Sequence, residues 1–455
     1  MISLVPYLVS LLTGWLILSL IVKPSCSLPF SLRFFLSWGL GLGASANLSF
    51  YSLLFWGQFH GFVVLLAHVL FLLALFALSP WNCRTFFMNI KALKKDWRKC
   101  IWPLLMTGFF LEMIVLLYIM TRLYPYGYWD AWAVWNMKTK FLLQAGPAWT
   151  NIFKLNSHTQ PDYPLLLPLL NAWGCAFNAN TSAHAARLTA VAFTFTTGGL
   201  LFAGLRRFCR VTTALLAAGL LYLLPAFIIS GISQYADILV AYYILAIVIT
   251  MILGLKDNDR SFLFLSGLLC GLLSFTKNEG IILAIIFAVM VTVYLLKREK
   301  NPARAVPALA SFFGGTMLTF VPVLIFKLKF APLNPDILTG PFQSQLHFFN
   351  LPSVFVVIRS CLLTMLDPHF AYIWGLLFLM FLSRPKDYFI KEMSVISWSL
   401  IGYAGAVLLI YLLTVHFDLS WRLSRTLPRI LTYLLPSLLF CHFYVHGYSP
   451  REKKQ

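Results

Sequence analysis

Apolar runs of about 16–24 residues recur along the whole chain, each near the roughly 20 that an α-helix needs to cross a bilayer. The polar stretches between them reach at most about 40 residues, so a soluble domain has nowhere to fit. The chain therefore reads as an all-α polytopic membrane protein with about 13 transmembrane helices. Its composition agrees. Of 455 residues 60% are hydrophobic and only 11% charged, against about 25% charged in soluble domains.

The expected spans are about 2–22, 33–56, 61–80, 101–121, 184–205, 212–232, 238–255, 261–276, 281–296, 306–326, 368–383, 393–414 and 429–447. Apolar segments near 163–178 and 352–366 read as interfacial or re-entrant helices, or as further spans. The first run has no basic flank or cleavage site before Lys23 and reads as a retained helix. The net charge of +20 reads as a topogenic signal, not as a nucleic-acid footprint. Placing the 82–100 loop inside gathers most Lys and Arg on that side. The N-terminus and Asp130 then face outward. The eight cysteines are scattered without CxxC or zinc spacing and read as unpaired.

Charges at a membrane edge are costly and point to function by default. Five clusters stand out. In YPYGYWDAWAVWNMKTK, Trp129, Trp132 and Trp135 recur every three residues beside Asp130, and Lys138 continues the spacing. The pattern suits an interfacial amphipathic helix. Asp130 is then either a functional carboxylate or a helix-dipole cap. In SHTQPDYPLLLP, His158, Gln160 and Asp162 precede Tyr163 and a proline-punctuated apolar segment. His158 suits phosphate binding, proton transfer or a plain interfacial loop. Asp237 opens a span as either a helix cap or a second functional acid. Lys277 and Glu279 sit in FTKNEG, as a turn-holding pair or with Lys277 facing a phosphate. Arg422, Arg425 and Arg429 are spaced to share a helix face on the outer side, against the topogenic bias, which suits either a phosphate site or a last hairpin of the opposite orientation. Glu112, near mid-span, is expected to be paired within the bundle.

No phosphate-loop, Rossmann, HExxH or GxSxG signature is present. The order of the motifs resembles the GT-C superfamily of membrane glycosyltransferases. That group includes the protein O-mannosyltransferases and the enzymes that move aminoarabinose onto lipid A. The resemblance runs over about residues 101–300, through YWDAWAVWNMKTKFLLQAG, SHTQPDYPLLLP, SAHAARLTAVAF, LRRFCR, ISQYADILVAYY and FTKNEG. It departs where the family carries an EKP- or HPP-like tripeptide, which reads His158-Thr-Gln-Pro161-Asp162 here.

The resemblance implies three regions: a three-helix addition at 1–100, a catalytic core at 101–300, and C-terminal helices at 301–455 completing a lipid-donor site. It implies an inverting transfer of a sugar from a polyprenyl-phosphate donor to a hydroxyl of a protein, lipid or glycan. Asp130 would be the general base, and Asp237 would orient the acceptor or a divalent metal. The donor phosphate would meet Lys277, His158, Arg422, Arg425, Arg429 or Lys138. Trp129, Trp132, Gln160, Asp162, Tyr163 and Glu279 would line the substrate. The compact loops suggest a bacterial inner membrane with the site facing the periplasm. The rival readings are a secondary transporter, and a polysaccharide polymerase or ligase. The transporter reading is disfavoured because no internal repeat is evident. The polymerase or ligase reading is disfavoured because the best-marked acid lies in an early loop.

Overall fold

A computed structural model describes residues 4–22, 28–78, 101–176, 182–299, 301–333, 351–413 and 418–448. The expected basic loop at 82–100, with Cys26, Cys83 and Cys100, lies outside the described residues. Among the described residues, Cys175, Cys209, Cys270, Cys361 and Cys441 form no disulfide with one another.

Helix is the only regular structure among the described residues. The first half comprises α1 (Val5–Ile21), α2 (Phe30–Trp56), α3 (Gly61–Leu78), α4 (Ile101–Leu123), α5 (Asn136–Gln144), α6 (Leu166–Gly174), α7 (Ser182–Arg206), α8 (Val211–Leu223) and α9 (Pro225–Ile232). The second comprises α10 (Asp237–Lys256), α11 (Arg260–Ser274), α12 (Asn278–Arg298), α13 (Pro302–Lys329), α14 (Leu351–Met365), α15 (Ile373–Ser383), α16 (Lys391–Leu413) and α17 (Leu419–Gly447). Among the described residues, seven helices, α3, α7, α10, α12, α13, α16 and α17, are long and apolar enough to cross a membrane. On α3 only Val64, His68 and Leu75 are buried, while Phe62, Leu70, Leu73 and Leu78 lie exposed. An apolar surface of that kind belongs against lipid. The chain is an α-helical integral membrane protein.

The other expected spans also fold as helices, but several are short. At 1.5 Å per residue, α11 with 15 residues and α15 with 11 reach only about 22 and 16 Å. The span expected at 212–232 is broken into α8 and α9, with a bend of 66°. Pro225 is the cause, since it has no N–H to continue the ladder and its ring crowds the preceding turn. The segment near 163–178 forms the nine-residue α6, buried at every position and far too short to span. The last helix begins at Leu419, not near 429, because the Asp418 carboxylate accepts from the Trp421 N–H (2.7 Å) and caps it. Arg422, Arg425 and Arg429 are therefore all on one helix, as their spacing suggested.

The centre of the bundle is α10, buried along its whole apolar window. A helix that is apolar all round belongs in the interior. Helices α2, α7, α11, α16 and α17 pack around it. Its tyrosines tie it to α2: Tyr242 OH donates to the Phe35 carbonyl (2.6 Å) and Tyr243 OH to the Gly39 carbonyl (2.9 Å). Small residues let other pairs approach closely. A Cβ on Gly41 would lie 1.7 Å from the Ser10 carbonyl oxygen, and one on Gly14 1.9 Å from that of Ser37. Gly41→Ala is therefore expected to force α1 and α2 apart. It should lower detergent stability by about 1–3 kcal/mol, read as a fall in Tm. An unchanged Tm would show that this crossing is not tight.

Candidate functional site

Three turns and one helix build the site. Gly127 adopts a φ of +69°, where a Cβ would also meet the Ser233 carbonyl at 2.5 Å. The chain there lies against the turn before α10. Tyr128 N–H donates to the Ser233 carbonyl (3.3 Å), Asp130 N–H to the Tyr235 hydroxyl (3.3 Å), and Gln234 Nε2 to the Tyr124 carbonyl (3.2 Å). These contacts bring Asp130 beside Asp237, the first residue of α10. The turn between α11 and α12 adds Lys277 and Glu279. Helix α17 adds Arg429.

Arg429 bridges the two aspartates. Its Nη1 donates to Asp130 Oδ2 and its Nε to Asp237 Oδ2, both at 2.6 Å. The Tyr235 ring lies 4.5 Å from the guanidinium carbon and supports it from one side. Lys277 Nζ donates to Asp237 Oδ1 (2.9 Å) and pairs with Glu279 Oε1 (3.3 Å). Tyr163 OH donates to the same Glu279 oxygen (3.4 Å). Burial alone would lower the Lys277 pKa, but the Asp237 and Glu279 carboxylates more than reverse this and raise it. Exposure gives the site a direction. The Asp237 and Lys277 side chains are 2% and 6% exposed, while those of Asp130 and Arg429 are 29% and 26% exposed. The aspartate that meets solvent is Asp130.

Asp130 stands at the N-cap of the π turn and Asp237 in the first turn of α10, so both lie at the end of a helix dipole that favours an acid, but neither is the side-chain cap expected from sequence. Asp130 makes no side-chain cap bond, and the residue at the α10 cap position is Ala236. Both carboxylates turn to cations instead. The expected tryptophan face is also broken. Residues Ala131–Trp135 form a π-helical turn, which carries more residues per turn than an α-helix. Trp135 consequently turns inward onto the Tyr163 ring, while Trp129 and Trp132 stay exposed, edge to face with centroids 4.4 Å apart.

The residues expected at phosphate separate. Lys138 is buried, and its Nζ donates to the Gln160 and Tyr163 carbonyls (2.6 and 3.3 Å). It clamps the 160–163 turn, where Gln160 has a φ of +46°, and this replaces the expected phosphate contact. His158 is exposed on a short 3-10 turn, apart from the network. Asp162 is buried and accepts from Asn278 Nδ2 (2.6 Å). Lys327 holds that pair by donating to Asn278 Oδ1 and the Asp162 carbonyl, both at 2.6 Å. Arg425 is exposed and Arg422 half-buried, the latter with its guanidinium 5.8 Å from the Tyr411 ring. Glu112 is exposed on α4, not paired inside the bundle as expected. Lys327, Asn278 and Tyr235 were not singled out by sequence. Lys327 had a usable signal, a cation at the end of an apolar run on the side poor in cations.

Burial lowers the Lys138 pKa to about 7, with Asp162 opposing the shift. An unfolded lysine titrates near 10.4, so between these values the unfolded chain binds more protons. Stability should then rise with pH across that window, by up to about 1.4 kcal/mol per unit from this group. Below pH 7 the buried charge carries its full cost. Tm measured from pH 6.5 to 9.5 should climb in the wild type relative to Lys138→Met. A constant difference would refute the shift.

A divalent metal between Asp130 and Asp237 does not fit this donor set, because the Arg429 guanidinium lies between the carboxylates. Among the described residues, no three His, Cys, Asp or Glu side chains are grouped to hold a metal ion.

Fold and site together define an α-helical integral membrane protein with a mixed-charge centre at the start of its buried central helix. No protein-family model, curated protein or solved structure matches this chain.

Proposed function

We propose that the chain is an inverting glycosyltransferase of the GT-C type. It moves a sugar from a polyprenyl-phosphate donor to an acceptor hydroxyl. One observation carries the reading: Asp130, Asp237, Lys277, Glu279 and Arg429, from distant parts of the sequence, meet in one network with Asp130 at its open edge. Such an arrangement suits a base that meets a water-borne hydroxyl while its lipid-borne partner stays in the membrane.

In this reading the Asp130 carboxylate takes the acceptor proton as the hydroxyl oxygen attacks the anomeric carbon. The bond to the polyprenyl phosphate oxygen breaks in the same displacement and inverts that carbon. The phosphate leaves as an anion, so the step needs a cation more than a general acid. Asp237 and Lys277, nearly dry, hold Arg429 in register. Asp130 keeps a carboxylate oxygen, Oδ1, outside the Arg429 bond for the incoming hydroxyl. The motif order in 101–300 supports the same class. In this reading the site would face the cation-poor side of the membrane, the periplasmic face of a bacterial inner membrane.

The test is sugar transfer by the purified chain in lipid nanodiscs, with a polyprenyl-phosphate sugar and a mixture of envelope lipids, glycans and peptides as acceptors. Mass analysis should find an added sugar of inverted configuration. Absence of transfer, with unchanged Tm in the presence of donor, would overturn the reading.

A further inference from the structure

Consecutive residues of the turn between α9 and α10 hold the segment that carries Asp130. The Ser233 carbonyl accepts from the Tyr128 N–H (3.3 Å), and the Tyr235 hydroxyl accepts from the Asp130 N–H (3.3 Å). Between them, Gln234 Nε2 donates to the Tyr124 carbonyl (3.2 Å) and also reaches the Pro125 carbonyl (3.4 Å). The start of the segment is therefore tied down by a side chain, and its end by a backbone carbonyl and a hydroxyl. All of these groups come just before Asp237 in the chain.

Gln234 is the unusual member. Its φ is +60°, a left-handed conformation that glutamine rarely adopts, and its side chain is buried. Strain of this kind persists only where the surroundings hold it, and it collects at functional sites. Glycine or asparagine would take the same backbone at less cost, so the turn alone does not explain a glutamine. The side chain does, because a primary amide long enough to cross the gap supplies the donors that the Tyr124 and Pro125 carbonyls accept. On its other side the contacts loosen. Asn136 Nδ2 lies 3.5 Å from Gln234 Oε1, and Asn171 Nδ2 lies 3.3 Å from Asn136 Oδ1, both long for hydrogen bonds. Beyond them, Asn171 Oδ1 and Trp135 Nε1 are buried without partners. The tight end of this amide chain is the one at the Asp130 segment.

We propose that Gln234 is a positioning residue: its amide sets the Asp130 segment against the turn before α10, and so places the Asp130 carboxylate at the guanidinium that Asp237 also holds. The two aspartates differ in what fixes them. Asp237 is buried and bonded to both Lys277 and Arg429. The Asp130 carboxylate is 29% exposed and, among the described residues, bonds Arg429 alone. Its place therefore depends on its backbone, which residues 233–235 hold. A 2.6 Å bond to Arg429 leaves little room for drift. The effect of Gln234 on rate rests on the glycosyl-transfer reading, while its effect on the place of Asp130 does not.

Two variants of the full chain in nanodiscs test this. Gln234→Asn keeps the amide and eases the left-handed backbone, but is one methylene too short to reach the Tyr124 and Pro125 carbonyls. Gln234→Met keeps the length and loses the donors. The first readout needs no substrate. A water-soluble carbodiimide labels carboxylates, and mass analysis gives the rate at Asp130 relative to the exposed Asp257. Both variants should label Asp130 at least about threefold faster, because its bond to Arg429 loosens. The second readout is transfer: kcat should fall about tenfold or more, with the KM for donor within about twofold. A glutamine that only fills space would behave differently, with wild-type labelling and kcat in Gln234→Met. Unchanged Asp130 labelling in both variants would overturn the proposal, as would unchanged kcat in a chain that transfers sugar. If the wild type transfers no sugar, the transfer reading fails and the labelling alone judges Gln234.

Discussion

Asp130→Asn is expected to lower sugar transfer by about 10²- to 10⁴-fold while leaving the protein folded. The amide has nearly the shape of the carboxylate, and its oxygen can still accept the Arg429 Nη1 bond, which is 2.6 Å long in the native pair. It cannot take a proton from an attacking hydroxyl. Asp130 sits at the exposed edge of the network, so losing its charge costs little stability. The two effects should therefore separate: a large fall in turnover and a small change in Tm. Asp130→Ala should fall further in both, because Arg429 then loses a ligand as well. Retained turnover in a folded Asp130→Asn protein would remove Asp130 as the base. The network would then be a structural brace between helices.

The second large effect is on stability. Asp237→Ala is expected to destabilise by about 3–5 kcal/mol, since it strips the buried Lys277 ammonium of its nearest carboxylate and Arg429 of one of two. Lys277→Met should cost a similar amount by leaving Asp237 buried with one cation fewer. The double variant should be less damaging than the sum, with a coupling of about 0.5–3 kcal/mol. Unfolding in detergent of the four proteins measures it. Strict additivity would mean that the two side chains do not act as a pair. Activity gives a second readout. If Asp237 acts by holding Arg429 in place, Asp237→Asn should keep donor binding and lose rate.

Several elements were legible because their physics is local. Apolar runs mark helices wherever they occur, and most of each expected span is helical in its described part, apart from the break before Pro225 and the left-handed Ala371 and Tyr372 ahead of α15. The prolines and cap residues that set α9, α13 and α17 are local as well, although the break at Pro225 and the early start at Leu419 were passed over in favour of apolar length. The π turn at Ala131–Trp135 had no such signal. It depends on how that turn packs against residues 233–235, and a three-residue tryptophan spacing assumes an α-helix. The burial of Lys138 was also hidden, because its partners are backbone carbonyls whose direction follows from the turn at Gln160.

The candidate residues themselves were readable because a charge among apolar helices is expensive wherever the helices go. On that ground Asp130, Asp237, Lys277, Glu279 and Arg429 stood out singly, and the membrane class of the protein followed from run length alone. Their pairing was not readable. Arg429 reaches Asp237 across 192 residues and Asp130 across 299, separations at which sequence spacing carries no distance information. Only the packing of α17 against α10 selects those partners over the nearer Asp418. The same packing leaves the Nη1 of Arg422, two turns earlier on the same helix, without an acceptor. Sequence determined which groups the membrane makes costly, and tertiary structure decided which of them neutralise one another.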